Sequence, residues 1–210
     1  TGGFWGDRFN VFSRHSLQGM WNTWKNPDVS HGFRNFEIAA GECEGTHWGP
    51  PFHDGDMYKW LEGVAAVYAV NHDPELDELM DYFIARVVKA QRADGYIHTP
   101  VIIDEKNKGI DTHAVANKQT VIGTKVGAEN EKGAFANRLN FETYNLGHLM
   151  MAGIIHQRAT GKNTLFDVAV KATDFLCHFY ETASAELARN AICPSHYMGV
   201  VEMYRATGNT

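Results

Sequence analysis

Cysteine is scarce in this sequence. Three residues, Cys43, Cys177 and Cys193, occur among 210, with no CxxC pair and no Cys/His cluster at zinc spacing. That excludes a disulfide framework and a small zinc fold, while leaving the redox compartment open. Long apolar runs are also missing. Nothing approaches the roughly 18 uninterrupted apolar residues of a membrane-spanning helix, so no membrane partner is expected. Positive charge is in short supply: 19 Lys+Arg stand against 25 Asp+Glu, giving a net charge of −6 with no basic run. Nucleic acid is therefore not an expected partner. No GxSxG elbow, phosphate-binding loop or dinucleotide fingerprint occurs. No signal-peptide pattern is visible at TGGFWGDRF (1–9), a start that fits a processed or excised chain.

What remains is ordinary globular composition, 44% hydrophobic and 21% charged in 23.5 kDa. That is enough chain to bury a core without metal or disulfide support. The hydrophobic pattern is helical and repeats. Asp56 to Val70 carries Met57, Trp60, Leu61, Val64 and Tyr68 at helical spacing. Leu76 to Gln91 carries one apolar stripe from Leu76 through Val88. Between them NHDPE (71–75) reads as a stop and restart, with Asp73 as N-cap and Pro74 in the first helical position.

The same unit returns as Glu142 to Ala159, the turn TGKNT (160–164) and an amphipathic helix beginning at Leu165. A third first-helix spans about Ser195 to Arg205 and runs into ATGNT (206–210). RATGKNT (158–164) and RATGNT (205–210) are near copies, and only the first is followed by a helix. With an N-terminal helix around Phe9 to Trp24, this predicts an all-α array of helical hairpins, each burying a face on its neighbours. The expected fold class is an incomplete α/α toroid or helical barrel, completed by sequence beyond Thr210 in the same polypeptide or by a complementary chain. A small irregular helical domain is the plainer alternative.

The array also predicts which connections share an end. The turns at 71–75 and 160–164 join first to second helices and lie at one end. PPFHDGD (50–56), the long stretch 94–141 and NAICPSH (190–196) precede first helices and lie at the other. The latter are richer in His, Asp, Asn and aromatics, and 94–141 is far longer than a usual connection, which points to function. Candidate residues fall there. His53, Asp54 and Asp56 start one helix, and either Asp serves as a cap or faces a ligand, because carboxylates accept paired bonds from sugar hydroxyls. Tyr96 and His98 follow the Asp94-Gly95 turn and suit packing or ligand contact. Glu142, Tyr144 and His148 begin or lie within the next first-helix, where Glu142 also complements the helix dipole and His148 also suits a core role. Cys193, Ser195 and His196 begin the third. Ser195 suits an N-cap, and a Cys beside a His at a helix start also fits a thiolate nucleophile. Trp5, Trp21, Trp24 and Trp48 suit core packing or stacking on sugar rings.

Several of these segments together carry a family resemblance. Phe4-Trp5, NFEIAAGE (35–42), HDGDMYKWLEGVAAVYAVNHDPEL (53–76), AQRADGYIHTP (90–100), ETYNLGHLMMAG (142–153) and YRATGN (204–209), in this order, resemble the bacterial beta-L-arabinofuranosidases of glycoside hydrolase family 127 and its relatives. The resemblance implies an α/α toroid catalytic domain followed by β-sandwich domains, and hydrolysis of glycosidic bonds in plant cell-wall glycans. The expected substrate is an arabinofuranoside or a rarer, acidic sugar of pectin side chains. It implies a zinc-bound cysteine nucleophile and a glutamate acid/base, all on sequence beyond Thr210. None of the three cysteines here matches them, so no catalytic residue or metal ligand is assigned within this chain. A periplasmic or secreted location is implied in the same way. Two departures bear on the sugar. Phe141 stands where the family has a histidine before E-x-Y, and Cys193-Pro194 stands where it has His-Pro, with His196 three residues on to offer an imidazole. The expected sugar contacts are His53, Asp54, Asp56, His98, Glu142, Cys193 and His196. A polysaccharide lyase or sugar epimerase using Tyr96, His98, Tyr144 and His148 is the rival enzyme reading. A non-catalytic carbohydrate-binding module is the rival outside enzymes.

Overall fold

The computed structural model describes residues 2–108, 134–135, 138–189 and 191–210. Among the described residues the regular structure is helical, with no strand. Helix α1 (Gly3–Val11) passes through a π-helical turn (Phe12–Ser16) into α2 (Leu17–Lys25), one rod longer than the predicted Phe9–Trp24. Then follow α3 (Gly32–Ala39), α4 (His53–Asn71), α5 (Pro74–Ala90), α6 (Thr99–Lys106), α7 (Glu142–Thr160), α8 (Thr164–Thr182), the short α9 (Ala185–Ala188) and α10 (His196–Thr207).

The predicted hairpins are α4–α5 and α7–α8, with α10 as the third first-helix. The first helices form one layer, in which α7 packs between α4 and α10. The second helices form another, with α5 against α8. This two-layer order follows from the burial pattern. Helix α7 is buried on several sides by Leu146, Leu149, Met150, Ala152 and Ile154, as an inner helix must be. Helix α5 buries one stripe of Met80, Phe83, Ile84 and Val87 and leaves Tyr82 and Val88 exposed.

The repeat is visible in the caps. The residue after each first helix is left-handed: His72 (φ 51°), Gly161 (φ 77°) and Gly208 (φ 70°). Glycine adopts that conformation without a Cβ clash, which explains the TG of both RATG copies. Asp73 caps α5 as predicted, its carboxylate accepting the Glu75 N–H at 3.0 Å, with Pro74 in the first turn. At this end Lys162 bridges the hairpins, its Nζ lying 2.7 Å from both Asp77 and Asp81.

The N-terminal rod closes the core at the α4 side. Trp21 stacks on Trp60 with ring centroids 4.9 Å apart, and the Trp60 indole N–H donates to the Leu17 carbonyl at 3.2 Å. Trp21 is thus core as expected, whereas Trp5 is 80% exposed. Three helices depart from the expectations: α3 and the short α9 lie where none was foreseen, and α6 interrupts the 94–141 stretch. Residues 109–133 of that stretch lie outside the described residues.

Candidate functional site

The connections predicted to share an end do meet, and buried side chains join them. Asp54, in the first turn of α4, does not cap its own helix. Its carboxylate crosses to the start of α6, accepting the Thr99 N–H at 2.7 Å and the Thr99 hydroxyl at 2.6 Å. His98 Nδ1 lies 3.5 Å from the same carboxylate. Burial alone would push the Asp54 carboxyl up, but the His98 imidazole and the two Thr99 donors outweigh it and hold the group below its ordinary value.

Asn145, one turn into α7, is the second junction. Its amide oxygen accepts the Gly55 N–H at 2.9 Å, its NH2 donates to the Pro51 carbonyl at 2.8 Å, and the same nitrogen is 3.3 Å from His98 Nδ1. One side chain therefore fastens the α4 entry segment and the His98 ring to α7. A third junction is Glu142, which is buried and accepts from the Tyr96 hydroxyl and, at 2.9 Å, from the Phe135 N–H. Burial raises its carboxyl above the ordinary value, against the lowering effects of His98, Tyr96 and Phe135. Such a carboxyl lies closer to proton exchange at neutral pH than a solvated one.

The remaining candidates stand at various distances from this scaffold. His98 is fully buried, and its Nε2 has no hydrogen-bond partner among the described residues. His53 lies at the head of α4 with Nδ1 packed over Gly49. Its ring also meets the Trp24 ring, centroids 5.9 Å apart. Asp56 is half-exposed and pairs with Lys59 at 2.8 Å, and Lys59 also donates to the Tyr144 hydroxyl at 2.6 Å. His148 packs against the Tyr144 ring, and burial lowers its pKa to about 4. Tyr96 is buried and committed to Glu142.

Phe141 and Cys193, the two departures from the family pattern, share a backbone state. Both are left-handed, at φ 58° and 50°. Phe141 sits before α7 and packs edge-on against Phe52 and Tyr144, with centroids 5.3 and 5.9 Å apart. Cys193 is exposed, and its carbonyl accepts the Ser195 N–H at 2.7 Å. Ser195 makes no side-chain cap to α10. His196 is buried beside the Tyr180 and Tyr197 rings, which places it next to the Tyr180–Phe135 contact and so toward Glu142.

Sequence reasoning missed Thr99, Asn145, Asn35 and His47. Asn35 of α3 holds the Trp48 backbone from both sides, donating to its carbonyl at 2.9 Å and accepting its N–H at 3.2 Å. Polar residues embedded in apolar surroundings, as in RNFEIA (34–39) and YNLG (144–147), were the available signal. Among the described residues no three His, Cys, Asp or Glu are grouped to hold a metal ion. The zinc implied by resemblance therefore finds no donor set in the described part of this chain.

Hairpins stacked in two layers, with polar junctions gathered at the heads of the first helices, define part of an α/α toroid. The chain belongs to glycoside hydrolase family 127: residues 1–210 match the family described as "Beta-L-arabinofuranosidase, GH127 catalytic domain". It is 28% identical over 186 residues to the non-reducing end beta-L-arabinofuranosidase of Bifidobacterium longum subsp. longum, covering 85% of this chain and 24% of that protein. A solved structure described as "Glycoside hydrolase" is 60% identical with a TM-score of 0.64, covering all of this chain and 24% of that one. The family 127 beta-L-arabinofuranosidase of Geobacillus stearothermophilus T6 is 28% identical with a TM-score of 0.77, covering all of this chain and 30% of that one. The chain thus spans about a quarter of the length of these relatives.

Proposed function

We propose that the polypeptide containing this chain is a glycosidase that releases beta-L-arabinofuranose from plant cell-wall glycans, and that the chain supplies part of the sugar-binding wall. The observation that carries this reading is the convergence of buried, oriented polar groups at the heads of α4, α6 and α7, where Asp54, His98, Asn145 and Glu142 meet. Family membership and the activity named for the Bifidobacterium relative support the sugar. The acid/base and nucleophile, and zinc with its ligands, belong to sequence outside this chain in this reading, and a periplasmic or secreted location goes with it. Phe141 and Cys193 leave room for a rarer pectin side-chain sugar as the substrate.

The lyase or epimerase reading is weakened by Tyr96, whose hydroxyl is committed to buried Glu142. The test uses the complete polypeptide on a beta-L-arabinofuranoside and on pectin. Release of free arabinose is expected. A product absorbing as a 4,5-unsaturated uronate would replace the hydrolase with a lyase, and glycan binding without turnover would leave a binding module. Alanine at Asp56, Glu142 and His196 together is expected to lower kcat/KM by about tenfold or more, and a change within about twofold would displace the binding face from these residues.

A further inference from the structure

A group of imidazoles stands beside the Asp54–Asn145 scaffold, and the scaffold uses only one of their nitrogens. His47 lies in the segment between α3 and α4, and both of its ring nitrogens are buried without a hydrogen-bond partner among the described residues. His98, His53, His31 and the Asp54 carboxylate all lie close enough to act on its charge. His98 adds a third buried nitrogen, Nε2, likewise unpartnered among the described residues on a fully buried ring. The segment is anchored on both sides of this group. Asn35 grips the Trp48 backbone next to His47, and Asn145 grips Pro51 while also touching His98. The His31 ring braces Trp48 with centroids 4.5 Å apart.

A buried nitrogen left unpaired loses its hydrogen bond to water without replacement, and native proteins keep few of them. With His31 Nδ1 and His53 Nδ1, which are also unpartnered among the described residues, five such nitrogens stand in one anchored group and ask for a ligand with complementary groups. A neutral imidazole offers one donor and one acceptor, and a sugar hydroxyl offers the same pair in return. Burial holds the His47 pKa down to about 3, so the ring is neutral across the physiological range. The charge acting on it from outside the imidazoles is the Asp54 carboxylate, with no Lys or Arg among those groups. A carboxylate ligand would face that anion without a matching cation.

We infer that His47 and His98 form a paired hydroxyl-reading subsite that takes a neutral sugar ring and disfavours a sugar carboxylate. Asp54 and Asn145 are its positioning residues, since they fix the His98 ring through Nδ1 and leave Nε2 for the ligand. The inference rests on the glycosidase reading and narrows its sugar to the neutral arabinofuranoside over the acidic alternative.

The complete polypeptide is compared with its His47→Leu and His47→Gln variants on a neutral beta-L-arabinofuranoside. His47→Leu is expected to raise KM by about tenfold with kcat within about threefold, and to melt no lower than wild type without sugar, because it removes unpaired nitrogens. His47→Gln, which keeps a donor and an acceptor, is expected to restore KM to within about threefold of wild type. KM within about twofold of wild type in His47→Leu, or a rise that His47→Gln does not relieve, overturns the subsite. A lower melting temperature with unchanged KM assigns His47 to structure alone and overturns it too. Should His47→Leu fail to fold, isotope-labelled histidine in the wild type decides by NMR. L-arabinose is expected to shift the His47 and His98 signals and D-galacturonate to leave them in place, and the opposite pattern or no shift from either overturns the subsite. Absence of arabinofuranoside hydrolysis by wild type, with these shifts intact, would sink the glycosidase reading and leave the subsite standing.

Discussion

Asp54 shows how a single residue changes meaning between sequence and structure. At the head of a helix an aspartate reads as a cap, and its position gives no hint that it reaches across to Thr99. The physical consequence is testable. Its folded pKa is depressed, so its contribution to stability is present above the ordinary carboxylate range and is lost as pH falls through the lowered folded value. Asp54→Asn is expected to cost about 2 kcal/mol at neutral pH, the scale of a charge-assisted hydrogen bond. The gap from wild type is expected to narrow as pH falls below the ordinary carboxylate range, measured by denaturant unfolding across pH. A gap that stays constant or widens in acid would show that the charge itself contributes nothing. His98 and Glu142 were legible as site candidates because titratable residues before first helices stand out. Asn145 and Thr99 were not, because an amide or hydroxyl within a helix pattern looks the same whether it faces solvent or ties two elements together.

The element scale was more legible, and its failures have a common cause. Long helices declare themselves by length, by apolar residues at helical spacing and by the turns between them, so α4, α5, α7, α8 and α10 were placed to within a few residues. Helix α3 has only eight residues and buries six of them, including Asn35, so its polar face is reduced to Arg34 and Glu37 and spans too few turns to read. Helix α6 is equally short and has Pro100 in its first turn. What no period reveals is how closely helices cross. At the α7–α10 contact a Cβ on Gly147 would lie 2.3 Å from the Ser195 carbonyl carbon and 2.5 Å from the His196 N, and a Cβ on Gly199 opposite would lie 3.0 Å from the Gly147 Cα. Backbone cannot yield as a flexible side chain does. Gly147→Ala is therefore expected to destabilise by about 1–3 kcal/mol and to displace the head of α10, where His196 sits. Thermal unfolding measures the first effect. A loss of substrate affinity exceeding that of an equally destabilising core change, such as Leu149→Ala, measures the second. A melting temperature equal to wild type would mean the two helices are not so close.

Across the whole molecule the recurring theme is histidine held neutral. Among the described residues His31, His47, His53, His148, His156 and His196 all have lowered pKa values, with burial as the leading cause in each. Composition gave 11 histidines without saying that so many would be enclosed. The sign of the effect follows from linkage. The unfolded chain takes up protons near pH 6.5 that the folded chain refuses, so stability is full above that pH and falls progressively below it. His156 offers the cleanest measurement, because it is fully buried in α7, far along the chain from the site, with both ring nitrogens unpartnered among the described residues. Asp77 and Asp81 of α5 and Lys162 of the turn are the charges acting on it. The two carboxylates favour its protonation and Lys162 opposes it, yet burial prevails. Below pH 6.5 this one residue is expected to remove stability progressively until its folded pKa is reached. His156→Leu removes that proton from the balance and is expected to flatten the pH dependence of unfolding below pH 6.5. An unchanged slope would show that His156 is protonated within the folded protein, paired with Asp77 and Asp81 rather than shut away from them.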